Sequence, residues 1–175
     1  DGYDINEFSI TCGTPLNYAT IQGNNEMVRY LLGLGAKKFN YFQDFDDLLI
    51  SIKYDDLKTL KILEEHNYSL TYEYTNSIDK LNIPQYFRPL HMAIICNAIN
   101  CAKYIIEKTG DDISFPGNCL KSPLSVGLEN NINLNYLEIL HSCKLDYQRF
   151  HKHYSKKYTE CCICLDTFSS SDIYV

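Results

Sequence analysis

The sequence has no apolar run long enough to cross a bilayer, which takes about 20 residues. Its opening, DGYDINE, also lacks the basic and apolar regions of a signal peptide. With 45% hydrophobic and 22% charged residues, the composition excludes fibrous and wholly disordered proteins. We therefore expect a soluble intracellular protein, cytoplasmic or nuclear, with no membrane partner. Because the chain does not begin with Met, we also expect it to be a segment of a longer protein.

Positive charge is scarce and is concentrated in one place. The formal net charge is −6, and the one basic patch, RFHKHYSKK, occupies residues 149–157. Binding to duplex nucleic acid requires a broad positive footprint that displaces counterions. The sequence therefore predicts no nucleic-acid partner.

The cysteines do not form a secretory disulfide pattern. The first five of the eight stand singly at irregular spacing, and without a secretory signal such cysteines are more often buried small hydrophobes. These five are Cys12, Cys96, Cys101, Cys119 and Cys143. The remaining three are bunched at Cys161, Cys162 and Cys164, which indicates a different role.

The chain also lacks the residue patterns of the common catalytic sites. Gly33 and Gly35 follow a predicted helix, whereas a glycine-rich phosphate loop precedes one. His91 has no Ser, Cys or Asp around it in a triad-like setting. These patterns direct the search for function toward binding.

What the sequence does contain is an internal repeat. Its clearest copy is GTPLNYATIQGNNEMVRYLLGLGA at residues 13–36, and three further copies follow it in register. In each copy an anchor residue precedes Leu, and a small residue lies four positions after the anchor. The anchors are Pro15, Asp47, Pro89 and Pro123, at spacings of 32, 42 and 34 residues, and the small residues are Ala19, Ser51, Ala93 and Gly127.

Each copy has the local signals of two helices. Thr14 and Ser122 can cap a helix whose first turn holds a Pro, where the missing N–H costs nothing. Gly35 and the equivalent Asn67 suit a left-handed helix end. Apolar residues at helical spacing predict one buried stripe on the second helix, formed in the first copy by Met27, Val28, Leu31 and Leu32.

The segments GTPLNYA and RPLHMA resemble ankyrin repeats, whose signature is T-P-L-H-x-A in a unit of about 33 residues. The resemblance implies an all-α solenoid of about four helix-turn-helix repeats across residues 1–146, with the opening DGYDIN similar to the tail of a preceding repeat. It also implies that His91 forms hydrogen bonds between neighbouring repeats. The repeats are expected near residues 13–39, 46–70, 88–112 and 121–146.

Residues 71–87 are the extra length between the second and third repeats, and their sequence, TYEYTNSIDKLNIPQYF, predicts a long extended finger. Two interpretations stay open for this insertion. It is either a tolerated surface insertion, since loop length costs little, or a loop that binds a partner.

The resemblance implies binding of another protein, because ankyrin repeats use the loop tips and the exposed face of each first helix. We expect Tyr54 and Phe87 to be hot spots, since rigid aromatic side chains supply contact area at low entropy cost. Transferred by position, the predicted partner-binding residues are Ile10, Thr11, Gln22, Lys53, Tyr54, Gln85, Phe87, Cys96, Asn118, Lys121 and Glu129.

The end of the chain contains a second motif. After a basic linker at residues 147–160, Cys161 and Cys164 form a C-x-x-C, a spacing that lets two thiolates share one zinc ion. The segment CCICLDTF resembles the opening of a RING finger. This resemblance implies that Cys161 and Cys164 are the first zinc pair and that Ile163 contacts an E2 ubiquitin-conjugating enzyme, while Cys162 has no role.

The motif is incomplete, because the sequence ends eleven residues after Cys164 and lacks the further ligands of a RING. We interpret residues 161–175 as the truncated beginning of a RING-type zinc finger. The leading hypothesis is the substrate-recognition array of a RING-type E3 ubiquitin ligase. One alternative is an ankyrin adaptor or decoy with a vestigial Cys motif, and another is a local zinc site that His151 and His153 complete.

Overall fold

The computed structural model describes residues 4–38, 46–75, 85–111, 113, 119 and 121–130. These residues form seven helices and two isolated β-bridges but no strand, which confirms the prediction of an all-α fold. The helices are α1 (Pro15–Ile21), α2 (Asn25–Gly33), α3 (Asp47–Lys53), α4 (Leu57–Glu65), α5 (Pro89–Ile95), α6 (Ile99–Thr109) and α7 (Pro123–Glu129). Within the described ranges, no helix is both long and apolar enough to cross a membrane.

The first helix of a repeat begins at the cap that the sequence predicts. The Thr14 hydroxyl accepts a hydrogen bond from the Asn17 N–H (3.2 Å), and the Asn17 side chain accepts one from the Thr14 N–H (2.9 Å). Ser122 caps α7 in the same way, accepting from the Ser125 N–H at 3.1 Å. At the start of α3, Asp46 takes the capping role and accepts from the Leu49 N–H at 3.1 Å. The first helix of repeat two is therefore capped although the Thr-Pro pair is absent.

The helices form two layers. Helices α1, α3, α5 and α7 contact one another in succession, and α2, α4 and α6 form a second succession beside them. We call the hairpins α1–α2, α3–α4 and α5–α6 repeats one, two and three, and α7 begins repeat four. The predicted small residues are buried where the helices approach, namely Ala19, Ser51, Ala93 and Gly127. Each repeat thus contacts its sequence neighbours, as in a solenoid.

The turn inside each hairpin requires the same unusual backbone conformation. Gly23, Asp55 and Asn97 occupy equivalent positions with φ of 63°, 52° and 54°. Gly, Asn and Asp are the residues that adopt this left-handed conformation at least cost. The predicted left-handed helix ends are also confirmed, with φ of 91° at Gly35 and 67° at Asn67.

His91 links repeats three and four, as the resemblance implies. Its Nδ1 accepts a hydrogen bond from the Arg88 N–H (3.1 Å), so Nε2 carries the proton and donates to the Lys121 carbonyl (3.1 Å). Burial lowers the pKa of His91, which favours this neutral ring. In repeat one the equivalent Asn17 links to the next repeat by donating to Asp47 Oδ1 at 2.6 Å.

Replacing His91 with Ala should destabilise the protein by about 2–4 kcal/mol, because it leaves a cavity and removes the partners of two partly buried backbone groups. His91→Asn should cost less, since an Asn makes the equivalent bonds in repeat one. Urea denaturation of the two variants measures the difference. Equal losses would show that packing alone, without these hydrogen bonds, determines the role of His91.

The predicted stripe on α2 needs one correction. Val28, Leu31 and Leu32 are buried in the core, but Met27 is 43% exposed. Helix α2 packs against α1 and α4, and these contacts leave Met27 in solvent. The prediction was therefore wrong for Met27.

Candidate protein-binding surface

A row of side chains crosses three repeats at the ends of the first helices. Gln22, Tyr54 and Cys96 are the C-cap residues of α1, α3 and α5, and these helices stack side by side. Gln22 is exposed, Tyr54 is 57% exposed and Cys96 is half-buried. The structure therefore brings together three of the residues that the sequence predicts. We call these three residues the C-cap row.

Lys53 adds a positive charge to the middle of the C-cap row. Its Nζ lies 5.8 Å from the centroid of the Tyr54 ring, within reach of a cation–π contact. Burial raises the pKa of the Cys96 thiol, and the charge of Lys53, which favours the thiolate, opposes this shift to a smaller extent. Cys96 therefore stays protonated near neutral pH, and it contributes contact area here, since the nucleophilic form of Cys is the thiolate.

The turn at residues 9–13, which we call finger one, presents an apolar side chain on a fixed backbone. Ser9 and Gly13 exchange two backbone hydrogen bonds of 2.9 and 2.8 Å, and Gly13 takes the positive φ of 73° that closes the turn. Between them, Ile10 is 88% exposed and Thr11 is exposed. Because the turn is already ordered, binding through Ile10 would cost little backbone entropy.

The base of the 71–87 insertion corrects one predicted hot spot. Phe87 is 0% exposed, its ring stacks on Tyr74 at 4.8 Å between centroids, and its carbonyl accepts from the Tyr74 N–H at 2.8 Å. Phe87 therefore belongs to the core, and its assignment to the surface was wrong. The exposed aromatic residues here are Tyr72 (46%) and Tyr86 (47%), which the prediction missed, beside the exposed Gln85.

In repeat four, Lys121 and Glu129 form an ion pair with each other, and their side chains are 38% and 42% exposed. A partner that used either charge would have to break or share this pair, although a surface ion pair contributes little stability. Asn118 lies outside the described residues, as do residues 76–84 of the insertion.

Comparison with known families adds one finding to this geometry. Residues 13–40 match the ankyrin repeat family. The match covers finger one's last residue, α1 and α2, and the α3–α4 and α5–α6 hairpins repeat the same helix-turn-helix order with a positive φ in each turn. No match is found among curated proteins. An ankyrin repeat indicates a protein-interaction module, so the exposed residues described above form a candidate protein-binding surface.

A buried acid connects repeats one and two. Asp47, at the anchor position, accepts from Asn17 Nδ2 (2.6 Å), and its other oxygen lies 3.1 Å from the Tyr68 hydroxyl. Burial raises the pKa of Asp47 to about 7, the Asn17 hydrogen bond opposes this shift, and the neighbouring Asp46 charge adds to it. The carboxyl group is therefore largely neutral in the folded protein below pH 7.

A cation and three aromatic rings attach the base of the insertion to repeat two. Lys38 Nζ lies 3.3 Å from Asp46 Oδ2 and 4.5–5.7 Å from the ring centroids of Tyr68, Tyr72 and Tyr74. The Tyr74 hydroxyl donates to Asp46 Oδ1 at 3.0 Å. Sequence reasoning missed this network, although two adjacent acids at an anchor position, where three repeats have Pro, were a usable signal.

Among the residues that the structure describes, no group of three or more His, Cys, Asp and Glu side chains is placed to hold a metal ion. The predicted zinc ligands Cys161 and Cys164, the predicted E2 contact Ile163 and the alternative ligands His151 and His153 all lie outside the described residues.

Proposed function

We propose that finger one and the C-cap row bind a protein, and that the chain is the substrate-recognition array of a RING-type E3 ubiquitin ligase. The observation that carries the proposal is the exposure of Ile10 and Tyr54, 88% and 57%, on elements whose backbones are fixed by the stack. Large side chains held in this way are typical of interface hot spots.

The chemistry of the surface favours a protein partner. Stacked repeats present an extended surface that spans several hairpins, which suits a partner of similar size. The proposed surface combines an aliphatic tip at Ile10, in the turn before α1, with an aromatic ring at Tyr54 and a cation at Lys53 at the C-terminal end of α3. This mixture matches the apolar and aromatic centre and the polar rim of protein interfaces.

The ligase part of the proposal rests on the sequence at residues 161–168. A RING ligase works by proximity, since it holds a target near an E2 thioester and so raises the effective concentration of the target lysine. In this proposal the array holds the target, Cys161 and Cys164 contribute to a zinc site, and Ile163 contacts the E2. The adaptor or decoy stays the alternative, in which the array binds its partner without any transfer of ubiquitin.

Ubiquitin transfer by the full-length protein, measured with a panel of E2 enzymes, tests both parts of the proposal. Cys164→Ser and Ile163→Ala should abolish transfer to the ligase itself and to its target. Tyr54→Ala should lower target ubiquitination about 30-fold, the effect of losing a hot spot of about 2 kcal/mol, and leave self-ubiquitination unchanged. Lys61→Ala, on the exposed side of α4, is the matched control and should change neither rate.

Each failure has a separate meaning. If no E2 supports transfer, the ligase proposal is wrong and the adaptor or decoy is favoured. If Tyr54→Ala and Lys61→Ala lower target ubiquitination equally, the C-cap row is not the recognition surface.

A further inference from the structure

Repeat one exposes three residues whose counterparts in the later repeats are buried or, in the case of Tyr104, half-buried. Tyr18, Met27 and Tyr30 are 54%, 43% and 62% exposed. The equivalents of Tyr18 are Ile50, Met92 and Val126, in α3, α5 and α7, which are 4%, 6% and 0% exposed. The equivalents of Met27 are Thr59 in α4 and Cys101 in α6, both 0% exposed. The equivalent of Tyr30 in α4 is Ile62, which is 3% exposed.

The buried counterparts on the second helices contact the preceding repeat. The Thr59 hydroxyl lies 2.9 Å from Asn25 Oδ1 of repeat one. The Cys101 N–H donates to Asp55 Oδ1 of repeat two at 2.9 Å.

Tyr104, the counterpart of Tyr30 in repeat three, indicates the hydrogen bond that Tyr30 would form with a preceding hairpin. Its hydroxyl donates to the carboxylate of Glu64, which lies on the second helix of repeat two. The position is a tyrosine in both repeats, but only in repeat three does a preceding hairpin supply the acceptor within the described part of the chain.

We propose that Tyr18, Met27 and Tyr30 form a stacking face for one further ankyrin-type hairpin, placed ahead of repeat one as repeat one lies ahead of repeat two. The hairpin that fits carries a carboxylate on its second helix, opposite the Tyr30 hydroxyl, as Glu64 lies opposite Tyr104. A hairpin fits this face because the face extends the same succession of repeat interfaces by one step.

The composition of the face supports this occupant. A repeat at the end of a solenoid needs a polar outer face for solubility, whereas this face presents two aromatic rings and a thioether. A second copy of the chain fits less well. A two-fold dimer would place the face against itself, with Tyr30 opposite an equivalent surface and no carboxylate in the place of Glu64.

The test joins a copy of residues 46–70, the helices of repeat two, ahead of residue 6 of the chain, which gives an anchor spacing of about 33 residues. This copy brings its own Glu64 equivalent to the face. We expect a gain in helical circular dichroism and a rise in Tm of about 5 °C over the parent chain. Tyr30→Glu should then lower the Tm of the fused chain by about 5 °C and change that of the parent by less than about 1 °C.

Tyr54→Glu is the matched control, because Tyr54 is a similarly exposed aromatic away from the face, and it should act equally in both chains. Equal effects of Tyr30→Glu in both chains would overturn the proposal, and so would a fused chain without added helix. Sedimentation of the parent chain tests the other occupant. If the parent chain self-associates and Tyr30→Glu abolishes that self-association, the occupant of the stacking face is a second copy of the chain and not a hairpin. None of these outcomes depends on ubiquitin transfer or on the binding of a partner at the C-cap row.

Discussion

Replacing Asp47 with Asn should make the protein more stable at pH 8 by roughly 4 kcal/mol and leave its stability near pH 4 almost unchanged. The pKa of this carboxyl group is 3.8 in the unfolded chain, and burial raises it to about 7 in the folded protein. Between these values the folded protein holds a proton that the unfolded chain has released. The free energy of unfolding of the parent must therefore fall as pH rises from about 4 to about 7, by about 1.4 kcal/mol per pH unit from this group.

The geometry around Asp47 explains why Asn should be tolerated. A neutral carboxyl accepts from Asn17 Nδ2 through one oxygen and can donate to the Tyr68 hydroxyl through the other. An Asn side chain has an acceptor and a donor at the same two positions, so it reproduces the protonated acid without the cost of burying a charge.

Urea denaturation of the parent and Asp47→Asn at pH 4.5, 6 and 8 measures this effect as a difference at each pH. The lowered pKa of His91 acts in the opposite direction, since stability from a buried neutral His is lost as pH falls below its unfolded value of 6.5. That contribution is present in both proteins and cancels in the difference. Asp47→Ala is the control and should be less stable than Asp47→Asn at every pH, because Ala removes the hydrogen bonds to Asn17 and Tyr68 that Asn keeps. Parallel profiles for the parent and Asp47→Asn would contradict the raised pKa.

Phe87→Ala should lower the free energy of unfolding by about 3–5 kcal/mol, because the ring is fully buried and stacked on Tyr74. The adjacent Tyr86 is 47% exposed, and Tyr86→Ala should cost less than about 1 kcal/mol. Both substitutions delete one aromatic ring from the end of the same insertion, so their comparison isolates burial. If Phe87→Ala weakened partner binding without a loss of stability, the ring would be a surface hot spot, as the sequence first predicted.

The repeat itself could be predicted, because its signals are local. Thr14 with Pro15 and Ser122 with Pro123 mark helix starts within two residues, and Gly35 marks a helix end by its backbone freedom alone. The second repeat was found without a Pro, since its apolar spacing kept the register and Asp46 supplies the cap.

The parts that could not be predicted depend on distant contacts. Lys38 contacts Tyr68 and Tyr74 only after repeat two has folded, and no local sequence pattern predicts these contacts. The burial of Phe87 and the exposure of Tyr86 reverse the predicted order for the same reason, since Phe87 gains its partner Tyr74 across the insertion. Met27 carries the periodicity of a buried residue because that position is buried when another hairpin lies ahead, as it is for Thr59.

The most direct test of the central claim, that the C-cap row is a protein-binding surface, is photo-crosslinking from position 54. A crosslinking amino acid replaces Tyr54 in one variant and Lys61, on the second-helix layer, in the other. The account predicts one dominant adduct from position 54, absent from position 61 and competed away by excess unlabelled chain. The claim would be contradicted if both positions gave the same adducts. It would also be contradicted if position 61 gave an adduct and position 54 gave none.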